Sequence, residues 1–151
     1  MIAIDTNLIV RYLTGDHPEQ SARAQALVDG QAVFVAVTVM LEVEWVLRSA
    51  YGYRPADVSQ ALRAFGGLPT VTVEDAEIVA EALDRAEQGM DFADALHLGK
   101  SMHCEGFATF DRKFVASRSS SVTVVVSRLR GDILPEIDVV PTGLSVESPT
   151  Q

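Results

Sequence analysis

Short apolar runs alternate along the chain with stretches whose apolar residues recur at helical spacing. Met1–Asp5 is an apolar run closed by a carboxylate, and Asn7–Leu13 carries apolar residues at three- and four-residue steps, which predicts a strand feeding a helix. His17-Pro18-Glu19 offers a helix start with proline in the first turn, and the alanine-rich stretch through Val28 is expected to stop at Gly30. Ala32–Val37 is apolar throughout, the pattern of a strand covered on both faces as in parallel sheets, with Thr38 placed to cap the next helix.

From Val39 to Ser49 the spacing puts Glu42, Trp45, Val46 and Ser49 on one face, with Val43 and Leu47 close beside them. An acid therefore interrupts a mostly apolar stripe; Glu44 falls on the other face and is expected to be solvated, while Trp45 is assigned to the core. Pro55–Phe65 predicts a further helix ended by Gly66-Gly67, Thr70–Val73 a brief strand, and Glu74–Gln88 a helix with acids in its first turn, closed by Gly89. Asp91–His103 restarts a helix, with Ala93, Ala95 and Leu96 expected to be buried. Gly106–Thr109 reads as a strand leading to Phe110-Asp111, and Val122–Val126 as the last strand.

This alternation predicts an α/β fold: a three-layer α/β/α sandwich with a mostly parallel central sheet. With 151 residues the chain has the length of one domain, set at residues 1–135, and the Pro, Ser, Thr and Glu content of residues 136–151 predicts a flexible C-terminal tail. Ser117–Ser121 reads as a turn, because too little chain remains after it for a second core.

Composition narrows the function. No apolar stretch reaches the ~18–20 residues needed to cross a bilayer, and the start has neither a basic region nor an apolar signal core, so a cytoplasmic protein with no membrane partner is expected. The single Cys104 allows no intramolecular disulfide and, with His103, too few ligands for a structural zinc. Lys and Arg total 12 against 21 Asp and Glu, a formal charge of -9, which argues against gripping duplex nucleic acid by bulk attraction and favours cations or a basic partner.

Four carboxylates break their local patterns: Asp5 at the end of the first strand, Glu42 in an apolar stripe, Asp94 in an alanine-rich helix and Asp111 after a strand. Ligands of open parallel sheets gather beyond the carboxyl ends of strands, where Asp5 and Asp111 are expected. Clustered like charges are tolerable with strongly raised pKa values or with cations. Oxygen-only ligands favour Mg²⁺ or Mn²⁺, and two such ions roughly 3.5–4 Å apart can activate water and stabilise the leaving oxygen of a phosphodiester, as in a metal-dependent nuclease.

Plainer roles stand beside this one. Asp5 could cap the helix after it, and Asp91 could cap its own helix or serve as a fifth acid. Glu42 could pair with Arg11 or Arg48, and Asp111 could hold the turn that continues into Arg112-Lys113. Thr109 is placed to orient Asp111. His97, one turn beyond Asp94, could touch substrate, though a structural role suits a lone helix histidine.

The segments MIAIDTN (1–7), MLEVEWVL (40–47), DFADALHL (91–98) and ATFDRKF (108–114), in this order, resemble the PIN-domain family, and within it the VapC toxins of bacterial toxin–antitoxin pairs. The likeness runs to about residue 126 and omits the tail. It implies a Mg²⁺- or Mn²⁺-dependent ribonuclease, a homodimer and a small VapB-type antitoxin. The family's acids fall on Asp5, Glu42, Asp94 and Asp111, with Glu42 rather than Glu44 matching the glutamate of the E-x-x-W-V-L pattern, and its small hydroxyl before the last acid falls on Thr109. Thr6 and Asn7 accompany Asp5 as additional site candidates.

The mechanism so implied uses metals held by Asp5, Asp94 and Asp111, with Glu42 ligating directly or through water, to position a water for in-line attack on phosphorus. Substrate RNA would be single-stranded or looped, with Arg11 and Arg112 as candidates to hold its phosphates. A basic antitoxin peptide would suit the acidic crevice. Two other classes remain open. A Mg²⁺-dependent phosphotransfer or receiver-type domain would want a lysine near the phosphate and an adjacent acid pair, for which the chain offers Lys100 and Lys113 but no second acid beside Asp5. A non-catalytic PIN-like binding module would keep the fold and use the acids for ions or partners.

Overall fold

Asp5 turns the chain from strand to helix. β1 (Ile2–Ala3) precedes it and α1 (Thr6–Thr14) comes directly after, and the Asp5 side chain accepts a hydrogen bond from the Leu8 amide at 2.9 Å. That is the role of an N-cap, satisfying one of the amides a helix start leaves without a partner. In the computed structural model the residues described are 1–109, Asp111 and the backbone of 138–140.

The remaining elements keep to the alternation in the sequence. α2 (Pro18–Gly30) starts after His17, whose Nδ1 accepts from the Gln20 amide; it runs through Gly30 and is closed by extended Gln31 rather than by the glycine. β2 is Val33–Val35, α3 Val37–Ser49, α4 Pro55–Gly66, β3 Val71–Val73, α5 Ala76–Glu87, α6 Phe92–Lys100, β4 Phe107–Thr109 and β5 Asp138–Val140. Proline in the first turn begins α2 and α4, where its missing N–H costs nothing. Gly15, at φ 65°, closes α1 in the left-handed conformation that glycine adopts without strain.

β1, β2 and β3 form a parallel sheet in that order, with Ile2 opposite Val33 and Val33 opposite Val71. Parallel neighbours need long crossovers, and α1–α2 and then α3–α4 supply them. Val33 and Val35 of the middle strand are fully buried, and around them pack Ile9, Val28, Met40, Val43, Leu47, Phe65 and Phe92 from the helices. Tyr12 meets Phe65 edge-to-face at 5.3 Å, fastening α1 to α4. The α/β class and its parallel sheet are as expected from the sequence.

Several local expectations are corrected. β5 lies inside the segment expected to be a flexible tail, yet its backbone pairs antiparallel with β4, Phe107 opposite Val140 and Thr109 opposite Asp138. Its Asp-Val-Val run has the β-branched character of a strand, which the surrounding prolines and serines disguise. Helix α3 begins at Val37, before Thr38, and its amide is capped from a distance: Val37 N–H donates to Glu74 Oε2 at 2.9 Å. Glu74 is thus spent on α3, Asp75 occupies the N-cap position in a left-handed conformation at φ 49°, and α5 starts only at Ala76. The expected Val122–Val126 strand and Ser117–Ser121 turn lie outside the described residues.

A further correction concerns the rotation of α3, whose buried row is Met40, Val43, Glu44 and Leu47. Apolar residues occupy both sides of this helix, so spacing alone admits two rotations. Glu44 goes inside, 6% exposed, because Arg48 one turn later pairs with it at 2.7 Å, and Trp45 is turned out to solvent.

Helix α6, which carries Asp94, packs closely on α5. At Gly99 an added Cβ would stand 2.7 Å from Ile78 Cγ2. Alanine is favoured over glycine within a helix by about 0.8–1 kcal/mol, so the absent methyl reflects packing rather than propensity. Gly99→Ala is expected to destabilise the fold by about 1–2 kcal/mol in urea unfolding, with the added Ile78→Ala relieving the clash. A stabilised Gly99→Ala protein would contradict this packing.

Candidate active site

The four acids are delivered from different parts of the chain. Asp5 stands at the end of β1, Glu42 on the outer side of α3, Asp94 in the first turn of α6 and Asp111 two residues after β4. Thr6, buried next to Asp5, donates its hydroxyl to Glu42 Oε2 at 2.5 Å, so the start of α1 is tied to the middle of α3. Thr109 Oγ1 accepts from the Asp111 amide at 3.0 Å, fixing the backbone from which that carboxylate projects.

Asp94 is half-buried, and its carboxyl is held above the ordinary carboxylate range. Loss of water is the largest cause, then the negative charges of Asp91 and Asp111, with His97 opposing. Asp94, Asp91 and Asp111 thus share one electrostatic neighbourhood although 17 and 20 residues of sequence separate the first two from the last. Asp91 also serves as the cap of α6: its Oδ1 accepts from Ala93 N at 2.9 Å and Asp94 N at 3.4 Å.

A link that the sequence pattern does not reveal joins α3 to α6. Arg48 holds Glu44 through Nε and reaches Asp91 Oδ2 with Nη2 at 3.5 Å. The four-residue spacing of Glu44 and Arg48 was the available signal for the first contact. The second crosses 43 positions and no local pattern announces it.

The other candidates divide. Arg11 is committed: Nη1 holds both carboxylate oxygens of Asp16, at 2.7 and 2.6 Å, and the Tyr51 hydroxyl, while Nε holds Gln20. Asp16, hydrogen-bonded by Tyr51, Thr14 and Arg11, is lowered to about 2. Arg11 therefore braces the α1–α2 turn, and its expected hold on phosphate would require breaking that network. Asn7 is exposed and lines, with Leu8, Arg11, Gln20, Arg23, Ala24 and Leu27, a groove between α1 and α2. Lys100 pairs with Asp75, away from the role a phosphotransfer reading would give it. Arg112 and Lys113 lie outside the described residues.

Among the described residues no three His, Cys, Asp or Glu side chains are grouped closely enough to hold a metal ion. The chemistry of the donors nevertheless suits a hard divalent cation: every candidate ligand is a carboxylate oxygen, and at Asp94 the charged form is opposed by two further acids. A cation placed there offsets the repulsion that now raises the Asp94 carboxyl.

A domain of helices about a parallel sheet, with acids at strand ends and on flanking helices, defines an α/β protein with a candidate acidic site. The chain belongs to the PIN domain family, whose model matches residues 2–117 and so spans Asp5, Glu42, Asp94 and Asp111. PIN domains are generally metal-dependent nucleases. No curated protein and no solved structure matches the chain. No helix among the described residues is long and apolar enough to cross a membrane.

The raised Asp94 carboxyl has a signed consequence. A carboxyl whose pKa is higher in the folded than in the unfolded state binds more protons when folded, so stability falls as pH rises through the folded value. Asp94→Asn is therefore expected to raise the thermal midpoint of the metal-free protein near neutral pH. The gain should vanish below the ordinary carboxylate range, at about pH 3. A midpoint lowered equally at both pH values would show that Asp94 is instead held by favourable contacts.

Proposed function

We propose that the protein is a Mg²⁺- or Mn²⁺-dependent endoribonuclease that acts in the cytoplasm as the toxin of a VapBC-type pair, cutting single-stranded or looped RNA. The observation that carries this reading is the match of a generally nucleolytic family to a chain whose half-buried Asp94 carboxyl is raised by burial and by the charges of Asp91 and Asp111. Asp5, Asp94 and Asp111 are the residues proposed to hold metal, with Glu42 as a direct or water-mediated fourth. A divalent ion at such a site acidifies water and offsets the charge that builds on a phosphodiester.

The chain's own part is positioning. Thr6 holds the Glu42 carboxylate, Thr109 fixes the Asp111 backbone, and Asp91 caps α6 so that Asp94 is presented from a rigid first turn. Arg48 keeps Asp91 partly neutralised and binds α6 to α3. The formal charge of -9 favours a basic antitoxin segment as the inhibitor, and a homodimer is proposed from the likeness to VapC toxins.

Hydrolysis by water, without use of the RNA 2′-hydroxyl, leaves 5′-phosphate and 3′-hydroxyl ends. The test is incubation of the pure protein with structured RNA in Mg²⁺ or Mn²⁺ and then in EDTA. Cleavage is expected to require metal and to fall on the order of 100-fold in Asp5→Asn or Asp94→Asn. Cleavage that persists in EDTA, ignores both substitutions or yields 2′,3′-cyclic phosphates would overturn the reading. Metal binding without RNA cleavage would favour a non-catalytic module.

A further inference from the structure

Trp45 is 58% exposed on α3, although a tryptophan is among the costliest side chains to leave in water. Its place is specific. Glu42 precedes it by three residues and Arg48 comes three after it, so the three side chains stand in one row on the helix surface. Glu42 is bonded to Thr6, beside Asp5; Arg48 is bonded to Asp91, the cap of the helix that carries Asp94. The indole therefore lies between the two links that tie α3 to the proposed catalytic acids.

How an acidic chain holds RNA is a separate difficulty. Of the six described arginines, Arg11, Arg48, Arg54, Arg63 and Arg85 each already hold a carboxylate. The described lysine, Lys100, does the same. Guanidinium contacts to phosphate are thus largely pre-empted in this part of the molecule. Stacking supplies affinity that needs no positive charge, because every base has an apolar face that an aromatic ring can cover.

We infer that Trp45 is a stacking platform for an unpaired RNA base next to the phosphate that is cut, and so a substrate-positioning residue of this site. The inference rests on the nuclease reading above.

Trp45 is the chain's single tryptophan, which makes it its own reporter. Titration of the full-length Asp94→Asn protein with a short unstructured oligoadenylate, in Mg²⁺, is expected to quench the intrinsic fluorescence. Adding Trp45→Ala should weaken RNA binding, measured by gel shift, about tenfold, whereas Trp45→Phe should hold within about threefold. In the otherwise wild-type enzyme Trp45→Ala should raise KM about tenfold with a smaller effect on kcat.

Binding or cleavage that leaves the fluorescence and KM unchanged would overturn the inference while the nuclease reading stands. Absence of both binding and cleavage would remove both. Emission that shifts with protein concentration in the absence of RNA would instead assign the exposed indole to a contact with a second copy of the chain.

Discussion

A carboxyl, Asp94, taken partly out of water within reach of other acids is the feature on which this molecule turns. Asp94 is half-buried, so its ionised form is opposed first by lost hydration and then by the charges of Asp91 and Asp111. A fold keeps such an arrangement only if its other interactions overcome the repulsion. The surrounding helices do so with a full apolar core and with an arginine, Arg48, placed against the acids of α3 and α6.

Several contacts serve the fold and the proposed site together. Asp5 ends a strand and begins a helix by capping it, which fixes a strand-end carboxylate in space. Thr6, the next residue, reaches across to Glu42. Arg48 neutralises a buried glutamate on its own helix and steadies Asp91 on another. Glu74 performs the corresponding long-range service for the start of α3, whose own sequence lacks a capping side chain. The acids are therefore carried on helix starts and strand ends whose geometry is set by hydrogen bonds, a better basis for positioned chemistry than free loops.

Much of this was legible from residues alone. Proline and glycine punctuation located the starts of α2 and α4 and the end of α4, and valine-rich runs located β2 and β3. Asp91 at the head of its helix announced a cap, and Asp91 and Asp94, three apart, announced neighbours. The rotation of α3 was not legible. Its apolar residues surround the helix, and the deciding interaction is the burial of Glu44 with Arg48, which a polarity pattern counts as two solvated charges. The pairing of β5 with β4 was hidden in the same way, since strand partners distant in sequence leave no local mark. Arg11 looked available because its partners, Asp16 and Tyr51, converge only once α1 and α3 are packed.

If the carboxylates around Asp94 form a site for a divalent cation, Mn²⁺ will occupy it in the absence of any substrate. Electron paramagnetic resonance of Mn²⁺ titrated with the protein decides the matter, because bound and free ion give separable signals. The free Mn²⁺ signal is expected to fall on adding the wild-type chain and to return with Asp94→Asn or with competing Mg²⁺. An unchanged free-ion signal with the wild-type chain, or equal binding by the Asp94→Asn protein, would show that these acids form no such site.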